Sequence, residues 1–413
     1  MSSPFARLRQ LGLALIVGSL SACGSVSGPG GHAPVVSVTP SGATAPAPGA
    51  PGTPEGPSTL RAKSRWSQAN WSELPGWDDD RVSEWWPALV RGCVRPAPGW
   101  AALCDEARRL GPDWGRRVDD GFVRQWVESH LQPWRVTALD TAGSGTGLLT
   151  GYFEPLLEGR RKPDARFAYP LHRPPVGLGQ RKPFLSRAEL ESTPEGRAMM
   201  AGRELVWLAD PLDVLLIQVQ GSGRIRLLDE ATPQGAPKVI RLAFGGHNDQ
   251  PYQSVARWLV EQGAFTLEQA SWPAIRNWAQ QNPGRVGEMM AANPRVVFFR
   301  EEALPDPELG PSGAQGVPLT PGRSIAVDRD SVPLGTPVWI DSTAPQTWVA
   351  GAMPPATPLR RLVMAQDTGG AIQGAVRADF FWGWGDEALA QAGRTKQPLS
   401  MWVLWPRGRA PGG

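Results

Sequence analysis

The segment from Leu362 to Trp384 constrains the fold most, because two predicted strands in it carry two aspartates on either side of a glycine-rich turn. Residues 362–365 are a short apolar run, as expected of a buried strand. In the strand predicted at 377–382, side chains alternate between two faces. One face is apolar and typical of a core: Val376, Ala378, Phe380 and Trp382. The other carries a cation, a carboxylate and a ring, which is not a core pattern: Arg377, Asp379 and Phe381.

The turn between these strands begins after Asp367 and contains Gly369 and Gly370. Glycine has no Cβ, so the backbone of this turn can lie close to a bound polymer. Two interpretations remain open from the spacing alone. Either Asp367 and Asp379 form a site, or Asp367 caps the turn and Asp379 is an ordinary surface carboxylate.

Residues 1–22 have the pattern of a signal peptide, with Arg7 and Arg9 before a short apolar stretch. The stretch ends in Leu-Ser-Ala-Cys at Cys23, which resembles the bacterial lipobox, whose cysteine is lipidated and becomes the first mature residue. The alternative is a plain secretory signal with an incidental cysteine. Because Gly24 rather than Asp follows, the usual inner-membrane retention signal is absent, and we expect an outer-membrane lipoprotein facing the periplasm.

Residues 23–59 are dominated by Gly, Pro, Ala and Ser, which predicts a disordered tether. The remaining chain of roughly 350 residues is long enough for two domains with cores of their own. Lys and Arg total 42 against 39 Asp and Glu, a net charge of +3 without a basic stripe, so nucleic acid is not an expected partner. The four histidines are scattered and no metal-binding motif occurs, so we expect no metal and no cofactor.

Two cysteines, Cys93 and Cys104, remain after Cys23. In an oxidising compartment they are a natural disulfide pair, and two buried thiols are the alternative. Nineteen tryptophans against three tyrosines would suit a glycan-binding protein, although most individual tryptophans are better interpreted as core residues.

Apolar periodicity predicts a mostly helical region over residues 60–139 and mostly β structure afterwards. Two helices interrupt the β region, at about 253–262 and 267–281, the second with a capping box formed by Thr266 and Gln269. The other predicted strands are short: 148–155, 167–171, 204–208, 214–220, 225–228, 238–244 and 296–299. The last of these starts another β section, which continues after a loop at 310–316 with the segment 324–340.

Five motifs now follow one another in order: the lipobox ending at Cys23, TGYFEP at 150–155, QVQGSG at 218–223, the segment 326–336 with Asp328, and 367–379 with its two aspartates. Together they resemble the membrane-bound lytic murein transglycosylase A family, from about residue 60 to 404. The last third is similar to the domain named for three aspartates, here Asp328, Asp367 and Asp379.

The resemblance implies a mainly β fold with a helical N-terminal part and a groove between two domains. Residues 60–155 and 305–413 would form a large domain with a double-psi β-barrel. Residues 156–304 would form a smaller β-domain inserted into it, which binds substrate.

The resemblance also implies an activity. The family cleaves the β-1,4 bond between N-acetylmuramic acid and N-acetylglucosamine in peptidoglycan, with the muramyl C6 hydroxyl attacking its own C1 to give a 1,6-anhydro product. An ordinary glycosidase needs two carboxylates. Here the nucleophile is part of the substrate, so one acid that then acts as a base suffices.

The family motifs assign roles to residues of this chain. Asp379 matches the catalytic acid, Asp367 is second in rank, either holding the geometry or favouring the transition state, and Asp328 is structural. Burial should raise the pKa of Asp379, with Phe381 contributing and Arg377 opposing if it is close. The expected substrate contacts are Thr150, Gly151, Tyr152, Gln220, Gly221, Ser222, Gly369, Gly370 and Phe381. For Gln218 and Gln220 the alternative is that they alternate toward solvent on a strand. The family often has tyrosine where this chain has Phe153.

The implied partners are peptidoglycan strands, the outer membrane through the lipid anchor, and peptidoglycan synthase complexes. Three other functions remain open: a non-catalytic, expansin-like peptidoglycan-binding lipoprotein, a structural lipoprotein, and a muramidase-type hydrolase. Motifs in both expected domains favour the enzyme, because a binding module would not need the inserted domain.

Overall fold

The computed structural model describes residues 56–139, 144–267, 269–346 and 355–411. Cys23, the signal peptide 1–22 and the tether up to residue 55 lie outside the described residues. The predicted end of the tether at residue 59 is wrong, because Ser58 and Thr59 lie in a strand and pair with Ser67 and Trp66. Within the described ranges, none of the helices is both long enough and apolar enough to cross a membrane.

The described residues combine helices and strands. The strands are β1 (Ser58–Leu60), β2 (Ser64–Gln68), β3 (Leu131–Ala138), β4 (Gly147–Glu154), β5 (Leu156–Gly159), β6 (Tyr169–His172), β7 (Glu204–Leu208), β8 (Gly223–Ala231), β9 (Pro237–His247), β10 (Val297–Glu302), β11 (Ser324–Val327), β12 (Thr336–Thr343), β13 (Pro358–Asp367), β14 (Arg377–Trp384) and β15 (Lys396–Pro406). The α-helices are α1 (Trp86–Gly92), α2 (Ala101–Leu110), α3 (Trp114–Arg117), α4 (Asp120–His130), α5 (Arg187–Ser192), α6 (Pro194–Met200), α7 (Pro211–Gln220), α8 (Val255–Glu261), α9 (Trp272–Gln281), α10 (Val286–Ala291) and α11 (Gly385–Ala392).

Strands from both ends of the described chain form one nine-stranded sheet in the order β1-β2-β3-β15-β12-β13-β11-β14-β4. Because β4 pairs with β14 on one side and with β15 on the other, the last six strands close into a ring. The ring surrounds an apolar core in which Ile325, Val338, Val363 and Phe380 are fully buried. The apolar face predicted for β14 is therefore its core face.

Helices α1 to α4 pack with part of this sheet around a cluster rich in tryptophan. The Trp86 ring lies 4.5 Å from that of Trp114 and 4.9 Å from that of Trp126, centroid to centroid. These rings belong to the core, which agrees with the interpretation of most tryptophans as core residues rather than glycan-binding residues. Cys93, directly after α1, is disulfide-bonded to Cys104 in α2.

A second sheet, β10-β9-β8-β5, and the antiparallel pair β6-β7 are built from the middle of the chain. Their apolar faces pack against α7 with Leu171, Ile217, Ile225 and Phe299 buried. The opposite side of α7 packs against α8, α9 and α10. Helix α7 is thus central to this part of the molecule.

The strand predicted at 214–220 is wrong, because these residues lie in α7. Asp210 caps the helix by accepting a hydrogen bond from the Leu212 backbone N–H (2.8 Å), and Pro211 occupies the first turn. Gly221 ends the helix in the left-handed conformation, with φ of 80°. A short apolar run does not distinguish a buried helix from a buried strand, and these end signals decide it.

Two other predicted elements need correction. The region 60–139 contains α1 to α4 but also β1, β2 and β3, because pairing with β15 draws its last segment into the large sheet. The helix predicted from 267 begins at Trp272, capped by Ser271, whose side chain accepts from Ala274 N–H (3.3 Å). Thr266 and Gln269 form a turn before it instead.

A buried ion triad joins the two sheets where β4 ends. Glu154 is fully buried and accepts hydrogen bonds from Arg224 Nε (2.8 Å) and from Arg241 Nε (2.6 Å) and Nη2 (3.1 Å). Both arginines also donate to the Leu309 carbonyl, at 3.0 and 2.6 Å. The Arg224 guanidinium lies 4.1 Å from the centroid of the Trp384 ring. The triad therefore holds the end of β4 against β8 and β9.

Candidate active site

An open cleft of about 1020 Å³ lies where the two sheets face each other. Its wall includes most of the residues that the sequence selected: Thr150, Gly151, Tyr152, Gln220, Gly221, Ser222, Asp328, Asp367, Gly369, Gly370 and Asp379. These residues come from β4, the end of α7, the turn after β13, and β14. The fold thus gathers segments that are more than two hundred residues apart in the chain.

Asp379 lies beside Thr150 because β14 and β4 are parallel neighbours and the two residues are register partners. Thr150 Oγ1 donates a hydrogen bond to Asp379 Oδ1 (2.5 Å) and accepts one from Arg377 Nη2 (2.8 Å). The Arg377 guanidinium therefore reaches the carboxylate through a hydroxyl. Among the described residues Arg377 forms no direct salt bridge with Asp379.

The opposing effects on Asp379 that the sequence predicted are both present. Burial raises the pKa of Asp379, while the Thr150 hydroxyl and the Arg377 charge lower it, and the net direction is upward. Arg377 itself is partly desolvated, which lowers its pKa. Asp379 is thus a carboxyl that stays protonated to a higher pH than an exposed aspartate.

Asp367 ends β13 and is held by donors on both of its oxygens. Ala314 N–H donates to Oδ1 (2.9 Å) and the Tyr152 hydroxyl donates to Oδ2 (3.1 Å). Burial nevertheless raises the pKa of Asp367 to about 6, and the nearby Asp379 charge adds to the rise. Burial beside these two carboxylates also raises the pKa of Tyr152 well above its usual value, so Tyr152 remains a hydrogen-bond donor.

Ala326 lies between Asp367 and Asp379, the two aspartates whose pKa is raised. It is the register partner of Asp367 on one side of β11 and of Asp379 on the other. Neighbouring strands lie about 4.8 Å apart, so the two aspartate backbones are on the order of 10 Å apart. The small Ala326 side chain lines the cleft between them, which leaves room for a ligand over both carboxyl groups.

Asp328 has the contacts of a structural residue. Its carboxylate accepts from Lys63 Nζ (2.8 Å), from Gly374 N–H (2.8 Å) and from Asp330 N–H (3.1 Å). These hydrogen bonds outweigh burial and lower the pKa of Asp328. The carboxylate thus fastens the end of the 368–374 turn to the end of β11.

The QVQGSG motif lies at the end of α7 and the start of β8, so its two glutamines do not alternate on a strand. Gln220 Oε1 accepts from the Phe153 backbone N–H (3.1 Å), and Gln218 Oε1 accepts from Arg187 Nη2 (2.6 Å). Ser222 is nearly buried in the cleft wall. Gln220 therefore connects the cleft end of α7 to β4.

Gly151 and Gly370 occupy positions where a side chain would collide with a neighbour. A Cβ at Gly151 would lie 2.6 Å from Trp382 Nε1 and 2.8 Å from Thr395 Oγ1. A Cβ at Gly370 would lie 2.7 Å from Arg295 Nη1. In both cases glycine permits close packing directly beside the candidate acids.

Phe381 and Phe153 are buried and do not line the cleft. Phe381 is 1% exposed and its ring is 5.1 Å from that of Tyr152, so it packs under Tyr152 and is absent from the cleft wall. The expectation that Phe381 contacts a ligand directly has no support from this position. Phe153, the departure from the family's common tyrosine, is also buried, against Leu216 and α11.

The sequence analysis did not predict several other residues that line the cleft. Phe244 and His247 on β9, Tyr252 after it and Arg295 before β10 line the cleft. None lies in a recognisable motif, and His247 could be noted only as one of four scattered histidines. The aromatic surface of the described cleft wall comes from Tyr152, Phe244 and Tyr252 and includes no tryptophan.

No group of three or more His, Cys, Asp or Glu side chains able to hold a metal ion occurs in the described part of the chain. The described cleft wall carries two partly desolvated carboxyl groups, a phenol, guanidinium groups, an imidazole and backbone donors. One of the carboxyl groups, Asp367, is fixed by its donors, and the other, Asp379, is tuned by Thr150.

Two family models match this chain. The one described as the MltA specific insert domain matches residues 148–300, and the one described as the 3D domain matches residues 323–405. Residues of both segments line the cleft, together with Arg95 and the loop 311–316, which lie outside the two matches.

Named relatives are similar over a large part of the chain. Membrane-bound lytic murein transglycosylase A of Vibrio cholerae serotype O1 is 33% identical over 262 residues, which cover 63% of this chain and 66% of that protein. The protein of the same name in Escherichia coli is 30% identical over 285 residues, covering 69% of this chain and 72% of that protein. The solved structure of the lytic transglycosylase LtgG of Burkholderia pseudomallei is 42% identical with a TM-score of 0.54, covering 85% of this chain and 98% of that one.

Proposed function

The chain belongs to the membrane-bound lytic murein transglycosylase A family, whose members are enzymes that act on peptidoglycan, and we propose that it cleaves the β-1,4 bond between N-acetylmuramic acid and N-acetylglucosamine. The observation that carries the proposal is the carboxyl of Asp379, partly desolvated in the cleft and hydrogen-bonded to Thr150. Because burial raises its pKa, this carboxyl is better suited to act as a general acid than an exposed aspartate.

In the first step Asp379 protonates the glycosidic oxygen while the bond from that oxygen to C1 of the muramyl residue breaks. The leaving sugar departs with the proton as a hydroxyl, and positive charge develops at C1 and the ring oxygen. Asp379 is left as a carboxylate that accepts the Thr150 hydroxyl bond, which stabilises the charged form. The Thr150 bond thus strengthens as the proton leaves.

In the second step the muramyl C6 hydroxyl forms a bond to C1, and the Asp379 carboxylate takes its proton. The acid is regenerated, no water is consumed, and the product carries a 1,6-anhydro ring. The nucleophile is already part of the reacting sugar, so little entropy is lost in bringing it to C1. One carboxyl group acting first as acid and then as base therefore accounts for the whole reaction.

Asp367 has the role of stabilising positive charge in this scheme. Its pKa of about 6 leaves it mostly ionised at neutral pH, and the Tyr152 and Ala314 donors fix its orientation. A fixed carboxylate near C1 favours an oxocarbenium-like transition state. The same pair on either side of Ala326 also suits a hydrolase, in which the second carboxylate activates water. The two reactions differ in whether the product contains an added water.

The six-stranded ring is the double-psi β-barrel of the large domain in this proposal, with residues 60–155 and 305–413 as that domain and 156–304 as the insert. The closure of β4 on both β14 and β15 supports the barrel. The cleft between the two sheets is then the groove that holds the glycan strand, with Thr150 and Tyr152 on one wall and Gln220 and Ser222 beside them.

Cys23 is the lipid-attachment residue in this proposal, and the enzyme faces the periplasm from the outer membrane. The lipobox pattern and the membrane-bound relatives support it. The tether, which ends before β1 begins at Ser58, gives the catalytic part reach toward the peptidoglycan layer. Association with peptidoglycan synthases rests on the family resemblance alone.

The test is Asp379→Asn, which removes the proton donor and keeps the shape of the side chain. Each proton transfer is typically worth about 10²- to 10⁴-fold in rate, so digestion of purified sacculi should be lost. Binding to sacculi should persist because the other cleft contacts remain. Asp386→Asn, an exposed aspartate on α11, is the matched control and should digest normally. Full activity of Asp379→Asn would exclude this residue from the mechanism.

A further inference from the structure

Arg295 reaches across the cleft from the wall that the family motifs do not include. It precedes β10, yet its Nη1 atom lies against Gly370, three residues after Asp367. Burial lowers the pKa of His247, and the nearby Arg295 charge lowers it further. The guanidinium group of Arg295 is therefore close both to the turn after Asp367 and to His247 on β9.

Arg295 is held in this position by its surroundings. Its Nε donates to the Gln250 carbonyl (2.8 Å), which fixes the guanidinium plane. Its own carbonyl accepts from Nη2 of Arg187 (2.8 Å), a fully buried side chain that also bonds to Gln218 in α7. A side chain fixed in this way loses little freedom when it binds a ligand.

Among the residues that the structure describes, no carboxylate forms an ion pair with Arg295. Arg300, on the same wall, pairs with Glu302 (2.7 Å). Arg224 and Arg241 pair with Glu154. In contrast, no carboxylate in the described ranges lies within 4.0 Å of the Arg295 guanidinium. A half-buried arginine that lines a cleft without a counter-charge is a ready site for an anion, because its paired N–H groups match a carboxylate.

We propose that Arg295 binds a carboxylate of the substrate strand and thereby makes the cleft prefer acidic peptidoglycan to neutral poly-N-acetylglucosamine. The inference rests on the proposed function, since it assigns a further contact to the same cleft. Two carboxylates occur on such strands: those of the peptide stem, and the lactyl carboxylate, which is free only where the peptide has been removed. Either one is the chemical group that a guanidinium recognises.

The test compares binding of three glycans, measured by calorimetry in an Asp379→Asn background so that turnover does not interfere. The glycans are peptide-bearing strands, strands stripped of peptide by an amidase, and chitohexaose, which has neither carboxylate. Arg295→Gln should weaken binding of at least one acidic glycan about 10- to 100-fold, as expected for a charge-assisted hydrogen bond. Binding of chitohexaose should change by less than about twofold.

The acidic glycan that is affected identifies the carboxylate. Loss confined to peptide-bearing strands assigns the peptide, and loss confined to stripped strands assigns the lactyl group. Arg295→Lys should retain part of the affinity, because it keeps the charge but not the paired N–H geometry. Arg257→Gln, at an exposed position on α8 outside the cleft wall, removes one positive charge as the matched control and should bind all three glycans normally.

The possible results distinguish a failure of the proposed role of Arg295 from a failure of the proposed enzymatic function. Equal weakening for all three glycans, or no weakening for any, would overturn the role of Arg295 while leaving the enzyme proposal intact. A wild-type chain that releases no fragments from sacculi would overturn the proposed function instead.

Discussion

Replacing Glu154 with glutamine should destabilise the protein severely, because it leaves two buried guanidinium groups without a counter-charge. Glu154 has no exposed surface, and Arg224 and Arg241 are 2% and 5% exposed. Three charge-assisted hydrogen bonds between 2.6 and 3.1 Å link the carboxylate to these arginines. After the substitution, the Leu309 carbonyl is the acceptor of both arginines that remains unchanged.

The expected cost of this substitution follows from the burial of the triad. Removing one partner of a buried ion pair costs about 3–5 kcal/mol, since the other charge stays desolvated. For roughly 350 folded residues the entropy of unfolding is about 0.7 kcal/mol/K, so Tm should fall by about 4–7 °C. The end of β4 is released as well, so Thr150 and Tyr152 should lose their fixed positions and activity should fall with stability.

The measurement is thermal and urea unfolding of Glu154→Gln beside Glu158→Gln. Glu158 is the matched control, an exposed carboxylate on β5 whose nearest arginine nitrogens are 3.9 Å away. Exposed pairs contribute about 0–1 kcal/mol, so the control should unfold nearly like the wild type. If Glu154→Gln lowers the free energy of unfolding by less than about 1 kcal/mol, the buried arginines do not depend on the Glu154 charge and this account of the triad is refuted.

Three other predictions concern the anchor, the disulfide and the second acid. Cys23→Ser should prevent lipidation and release the protein from the outer membrane; a variant that still labels with palmitate and sediments with that membrane would exclude the lipobox. Reducing Cys93–Cys104, which closes a loop of 11 residues, should cost about 2–3 kcal/mol, and two free thiols in denatured periplasmic protein would end this assignment. Because the pKa of Asp367 is raised from 3.8 to about 6, the native chain holds a proton there that the unfolded chain releases, and this carboxyl costs stability as pH rises from about 4 to 6. Asp367→Asn should remove that cost, so its Tm relative to wild type should rise between pH 4 and pH 7, and a flat or falling difference would contradict the shift.

Most of the residues that the family motifs and the alternation along β14 selected line the cleft, and their roles in binding and catalysis stay predictions. The alternation along β14 separated Asp379 from the core residues, and the turn glycines marked the close approach beside Asp367. These are short-range properties of the chain. They do not depend on how distant segments pair.

The failures have one physical origin, which is long-range packing. Residues 214–220 are apolar enough for either a strand or a helix, and burial on two sides of α7 combined with its end signals selects the helix. Arg295 lies in no motif, and its position depends on Arg187 and Gln250 from separate segments. Phe381 shares the face of Asp379 but lies under Tyr152, because a ring from another strand covers it.

The measurement that tests the central claim most directly is the mass of the fragments that the wild-type protein releases from sacculi. If the C6 hydroxyl is the nucleophile and Asp379 serves as both acid and base, the muramyl ends carry a 1,6-anhydro ring. Each fragment is then lighter by one water, about 18 Da, than its hydrolysed counterpart, because no solvent is added. Muramic acid with a free reducing end as the initial product would contradict the account and assign the two aspartates to a hydrolase.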